Sequence, residues 1–231
     1  MNIKNPIKSY LVKSAKANSK PVLIALLVFL IVGLILVIGR ITPVFKSIFS
    51  EHLLRELVVD LPVKAVGLIV PIILMFKNKS HSEWHEAYPD MPMSKKNFTT
   101  AIYLEMFLSA LVAVPVLVVI WVVASLVDPN IVESILTTGV FALGVMFFIP
   151  WVMTALIFTL QFTKLLEIND GAVLLFGSVL VAFWLGVGLQ SLLFALVVPH
   201  ALASVICAFI GLIIILIGWK ITASLYEKVD L

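Results

Sequence analysis

Long apolar runs separated by short polar breaks set the element plan of this chain. A helix needs roughly 20 apolar residues to cross a bilayer. Residues 21–39 form one such run without a charge. Residues 57–76 form a weaker one, carrying Asp60 and Lys64 four apart in its first half. At that spacing the two side chains share a helix face and neutralise one another. Residues 106–127 and 134–160 are uncharged, and the second is long enough to tilt or bend. Residues 171–219 then contain no Asp, Glu, Lys or Arg, too long a stretch for one crossing and right for two. Gln190, Ser191, Pro199 and His200 mark the turn, so spans are expected at 172–189 and 202–222. The short apolar piece 190–201 is expected to form a small interfacial or re-entrant helix.

Before the first apolar run, Ile3, Ile7, Tyr10, Leu11 and Ala15 recur at helical spacing with lysines between them. This predicts an amphipathic helix over residues 1–20, lying on the inner leaflet with its basic face toward anionic headgroups. Composition agrees with a membrane protein. The chain has 231 residues, 62% hydrophobic, with mean hydropathy +1.17. A soluble domain of this length cannot hide so much apolar surface.

The formal net charge is +3, and the basic residues are concentrated. With the N-terminus inside, twelve Lys and Arg fall on inner segments and three (Arg40, Lys46, Arg55) on outer ones. That bias places both termini in the cytoplasm and makes the number of spans even. The basic stretch is an orientation signal, and no nucleic-acid partner is read from it. No cleavable leader is read either, because the run after Lys20 is too long for one. Cys207 stands alone in an apolar span and forms no intrachain disulfide. The expected fold is therefore an all-α polytopic membrane protein with six transmembrane helices.

Chemistry at depth is sparse. Glu105 sits at the inner start of the third span, within reach of a headgroup or lysine. Pro71, Pro115 and Pro150 each remove a helix hydrogen bond. Gly139, Gly144, Gly186, Gly188, Gly211 and Gly218 permit close helix approach, although none forms a GxxxG pair. None of the 11 glycines precedes a lysine, so the chain has no P-loop of its own.

One polar island interrupts the pattern at residues 77–100, KNKSHSEWHEAYPDMPMSKKNFTT. Residues 81–88 predict a short helix stopped by Pro89, with Trp84 and Tyr88 on one face and His81 and His85 alongside. His81 and His85 at i, i+4 beside Glu83 and Glu86 do not make HExxH, and no third metal ligand accompanies them. Aromatic residues among charges are what a protein–protein contact uses.

The segment Asp90-Met91-Pro92-Met93-Ser94-Lys95-Lys96, followed by Ile102-Tyr103-Leu104, resembles an element between spans 2 and 3 of ABC-2 type permeases. That element reads LP-hydrophobic-S, two basic residues, then KYL; Met91 here replaces its Leu, and Ile102 its Lys. The resemblance implies a permease subunit that pairs with a second permease chain, either a copy of itself or a sister subunit. It implies two copies of an ATP-binding cassette subunit, which would hold ATP and Mg. The island would then be the cytoplasmic coupling loop, with Glu83, Trp84, His85, Glu86 and Tyr88 in the helix that contacts the ATPase. The layout is similar to small Gram-positive exporters of amphipathic peptides, of the bacteriocin-immunity and phenol-soluble modulin types, in the cell membrane. Cargo would enter laterally between spans 2 and 5, past Ile69, Ile73, Phe176 and Phe183. Two other functions fit a six-span chain: a non-transport immunity or scaffold protein, and the substrate-binding subunit of an uptake system.

Overall fold

The computed structural model describes residues 5–48, 50–59, 62–63, 69, 72–74, 86, 93–163 and 171–228. Among them there is helix and no strand. Five helices are long and apolar enough to cross a membrane: Pro6–Gly39, Lys95–Val127, Ile131–Leu160, Val173–Ala195 and His200–Lys228. Most of the expected second span and of residues 77–92 lie outside the described residues. What is described of that span, residues 57–59, 62–63, 69 and 72–74, is helical.

Helix α1 (Pro6–Ile41) is a single element of 36 residues. Asn5 caps it by accepting a hydrogen bond from the Lys8 amide at 3.1 Å, and Pro6 opens the first turn where no amide partner is needed. Thr42 closes it, with amide and hydroxyl both donating to the Gly39 carbonyl at 3.0 and 2.7 Å. The expected boundary between an interfacial helix and the first span is not a break, because the helix continues through Pro21. At 1.5 Å per residue it is about 54 Å long, against about 30 Å of hydrocarbon. Two short helices follow, α2 (Pro43–Ile48) and α3 (Glu51–Val59).

Helix α4 (Lys95–Val127) starts at Ser94, whose hydroxyl accepts from the Asn97 amide at 3.2 Å. The helix therefore absorbs residues 95–100, which the sequence assigned to the polar loop. A tight turn at Asp128, whose carboxylate accepts from the Asn130 amide at 3.1 Å, leads into α5 (Ile131–Ser134). A π-helical turn (Ile135–Gly139) then passes into α6 (Val140–Thr163).

The last two spans are α7 (Gly171–Ala195) and α8 (His200–Lys228). Residues 190–195 belong to α7 and residues 200–201 to α8, so no separate helix lies between them. The turn is a reversal cap. The Val198 amide donates to Leu193 at 3.1 Å and the Val197 amide to Phe194 at 3.0 Å, which satisfies two carbonyls at the helix end. Such caps place a left-handed residue at the position of Val197, whose φ is 54°. Glycine normally fills that position, because a β-branched side chain there is strained.

The core is built on α6, most of which is buried. It runs parallel to α8, and the two touch through small residues. A Cβ added to Gly144 would strike the Ser204 backbone. One added to Gly211 would lie 2.9 Å from the Phe148 Cα, and one on Gly218 2.5 Å from the Ala155 Cβ. Lipid gives no hydrophobic drive for helices to associate, so close van der Waals approach takes its place. The expected role of Gly144, Gly211 and Gly218 is thereby located on one seam. Cys207 is buried in the same core as a small apolar side chain. Helix α7 is peripheral, with most of its surface exposed.

Three substitutions test these features by thermal unfolding in detergent. Gly144→Ala should cost about 1–3 kcal/mol through overpacking, whereas Gly188→Ala, which meets nothing within 4 Å, should leave the midpoint unchanged or slightly raised. Val197→Gly should raise the midpoint, by about 1 kcal/mol of relieved left-handed strain. Val197 is exposed, so the change removes no packing.

Candidate functional site

The polar chemistry of the described chain gathers where α1, α4 and α8 meet at one end of the bundle. Helices α1 and α4 run parallel: Tyr10 meets Phe98, Ser14 meets Glu105, and Gly33 meets Ile120. Helix α8 arrives from the opposite direction, with Thr222 at Tyr103 and Tyr226 at Lys95. The N-terminal end of the chain, the start of α4 and the end of α8 therefore share one face of the molecule.

Glu105 is the centre of this region. It is 8% exposed, although a carboxylate is among the least often buried of side chains. The Tyr10 hydroxyl donates to its Oε2 at 3.1 Å, and the Ser14 hydroxyl donates to Oε1. The Asn18 amide donates to Ser14 Oγ at 3.0 Å and completes the chain of donors. Tyr10, Ser14 and Asn18 are spaced by four residues, so one face of α1 carries all three. The Tyr10 ring stands edge-on to Phe98 with centroids 5.7 Å apart, which shields the cluster from one side.

A second set of contacts fastens α4 to α8. Tyr103 and Thr222 share a hydrogen bond of 2.8 Å, and the Trp219 indole donates to the Thr100 hydroxyl at 3.2 Å. The Lys95 ammonium lies 5.7 Å from the Tyr226 ring centroid. Deeper in the bundle Phe107 stacks on Trp151 at 4.8 Å, and Phe158 packs on Tyr103 at 5.5 Å. These groups bind helices to one another. None is arranged as a nucleophile beside a base, and among the described residues no three His, Cys, Asp or Glu side chains converge on a metal position.

The sequence-based candidates fall differently. Glu83, Trp84, His85 and Tyr88 lie outside the described residues; Glu86 is helical and exposed. Ile69 and Ile73 are helical and half-buried. Phe176 and Phe183 both lie exposed on α7, Phe176 at 67% and Phe183 at 38%, the latter edge-on to Trp184. The basic N-terminal helix keeps its amphipathic pattern, but Tyr10 and half-buried Ile7 and Leu11 pack against protein, and Ala15 is exposed. The sequence reading missed Tyr10, Ser14 and Asn18 as partners of Glu105. Their four-residue spacing was visible, but Tyr10 read as part of the apolar stripe, and Ser14 and Asn18, small polar residues among lysines, read equally well as a solvated face.

Glu105→Ala leaves two buried hydroxyls without their acceptor, and a buried polar group left unsatisfied costs about 1–3 kcal/mol. Amide exchange in residues 6–20 should accelerate by at least tenfold in this variant, with the α6–α8 seam unaffected; equal protection in both proteins would show that the cluster does not hold α1. Comparison of the chain with known protein families, with curated proteins and with solved structures finds no match.

Proposed function

We propose that this chain is the permease subunit of an ATP-driven exporter that moves amphipathic peptides or other hydrophobic cargo out of the cell. A separate ATP-binding cassette subunit, in two copies, supplies ATP and Mg; this chain holds no nucleotide and catalyses no reaction itself. A second permease chain, identical or sister, completes the pore in the cell membrane of a Gram-positive bacterium.

One observation carries the reading. The polar segment 77–92 feeds directly into the Ser94 cap of α4, where the ends of three helices are fastened together. A push on that segment is delivered to the α1–α4–α8 junction. A permease worked from the cytoplasm by another subunit needs such a junction.

The chain directions support six crossings. Because α1 and α4 are parallel, the chain leaving Ile41 at one end must return to Lys95 at the other. Residues 57–76 are the apolar run available for that return. Both ends of the described chain then lie on the side rich in Lys, which the charge bias assigns to the cytoplasm. Cargo passing between spans 2 and 5 would meet Ile69 and Ile73 on one side and Phe176 and Phe183 on the other.

Copurification tests the assignment. A tagged chain should retain its ATP-binding subunit, and Trp84→Ala combined with Glu86→Ala should weaken capture by about 2 kcal/mol, roughly thirtyfold. If the double variant captures the subunit as well as the wild type and exports at the same rate, residues 83–88 are not the coupling helix.

A further inference from the structure

We infer that α1 carries a binding stripe for an anionic phospholipid of the inner leaflet, formed by Lys16 and Lys20. The two stand at i and i+4 and so share one face of the helix. That face is opposite Tyr10, Ser14 and Asn18, which are buried against α4. The Glu105 hydrogen bonds fix the rotation of α1 about its axis and aim Lys16 and Lys20 away from the protein. Lys16 and Lys20 are exposed.

The same stripe continues along the helix as Ile24, Leu27 and Ile31, all exposed. Ammonium groups thus stand directly in line with an apolar column, as phosphate stands in line with acyl chain in a phospholipid. An upright helix with this layout differs from one lying flat in the leaflet. It presents a vertical stripe to single lipid molecules.

Depth selects the residues that matter. The apolar run begins at Pro21. Lys20 lies at its edge and Lys16 about 6 Å farther out along the axis. The headgroup layer is about 5–8 Å thick on each side of the hydrocarbon. Lys16 and Lys20 therefore lie at phosphate level. No Asp or Glu occurs before Glu51, so the stripe has no acid on its own helix. The Glu105 carboxylate faces the other side of α1 and accepts from Tyr10 and Ser14. A headgroup with net negative charge complements this surface, and a zwitterionic one does not. The inference does not depend on the exporter reading, since it needs only an embedded α1 with its basic end at the inner leaflet.

Native mass spectrometry of the full chain in detergent, titrated with phosphatidylglycerol and with phosphatidylcholine, tests it. The wild type should bind phosphatidylglycerol preferentially. Lys16→Gln with Lys20→Gln should weaken that binding roughly fivefold per lysine removed and leave phosphatidylcholine unchanged. Both side chains are exposed, and an unshifted unfolding midpoint will show that the fold is retained. Lys228→Gln, at the far end of α8, should have no effect. Equal binding of the two lipids overturns the proposal by showing no selectivity for charge, and an equal loss in Lys228→Gln overturns it by showing only a diffuse positive surface. Unchanged phosphatidylglycerol binding in the double variant also overturns it. If that variant instead loses capture of an ATP-binding subunit, the stripe is a protein contact.

Discussion

A carboxylate buried at a helix–helix contact is tolerated only if its oxygens are satisfied there, and Glu105 is satisfied from one face of α1. Removing a charge from water costs several kcal/mol even after relaxation. Tyr10 and Ser14 each supply a hydroxyl donor, and Asn18 orients Ser14. The arrangement works in one register only. Sliding α1 by a single residue turns the donors about 100° away and leaves the acid unpaired. The parallel course of α1 and α4, and with it the common location of the chain's basic beginning and the start of α4, follows from that match.

The other half of the molecule is held by a different device. Along α6 and α8 the fastening is the absence of side chain at Gly144, Gly211 and Gly218, which lets backbones approach. Such contacts stabilise by dispersion, which is short-ranged and falls off within an ångström of separation. They therefore make a tight seam but set no charge and little polarity. The aromatic and hydroxyl contacts of Tyr103, Thr222, Trp219 and Thr100 join the two halves at the basic end. Helix α7 has the fewest such ties. Gly186 approaches Ile149, and Phe194 approaches Phe141 with centroids 5.1 Å apart, while most of its surface faces outward.

Hydrophobic patterning made the helical class, the membrane embedding and the approximate span positions legible. It failed at the ends, for reasons of local chemistry. The change from lysine-rich to apolar sequence at residue 21 suggested a boundary, but the helix runs on through Pro21, whose missing amide is tolerated in a long helix that neighbours support on one side. The polar residues 95–100 read as loop because charge dominates a hydropathy profile; Ser94 as a cap was the better guide. Gln190, Ser191, Pro199 and His200 read as the turn; the chain turns at Val197, close to Pro199 and His200 but well past Gln190 and Ser191, at a residue whose type argues against a left-handed conformation. Glu105 was recognisable as unusual, but its partners lie 91 and 95 residues away in sequence. No local pattern announces a pairing at that separation, and only the packed structure brings it together.

The two prolines of the basic half acquire a meaning from this pairing. Pro21 in α1 and Pro115 in α4 each delete one backbone hydrogen bond, so each helix bends most easily there. Both lie on the apolar side of the Glu105 cluster, between it and the Gly33–Ile120 contact. The cluster and the Tyr10–Phe98 contact tie the helices together on the basic side, and two fastened helices resist bending better than one. Stiffness thus drops on both helices over the stretch between the tied ends and the Gly33–Ile120 contact, first at Pro21 and roughly a turn or two farther along at Pro115. A load applied at Ser94 would tilt the tied ends together about that stretch rather than peel α4 from α1.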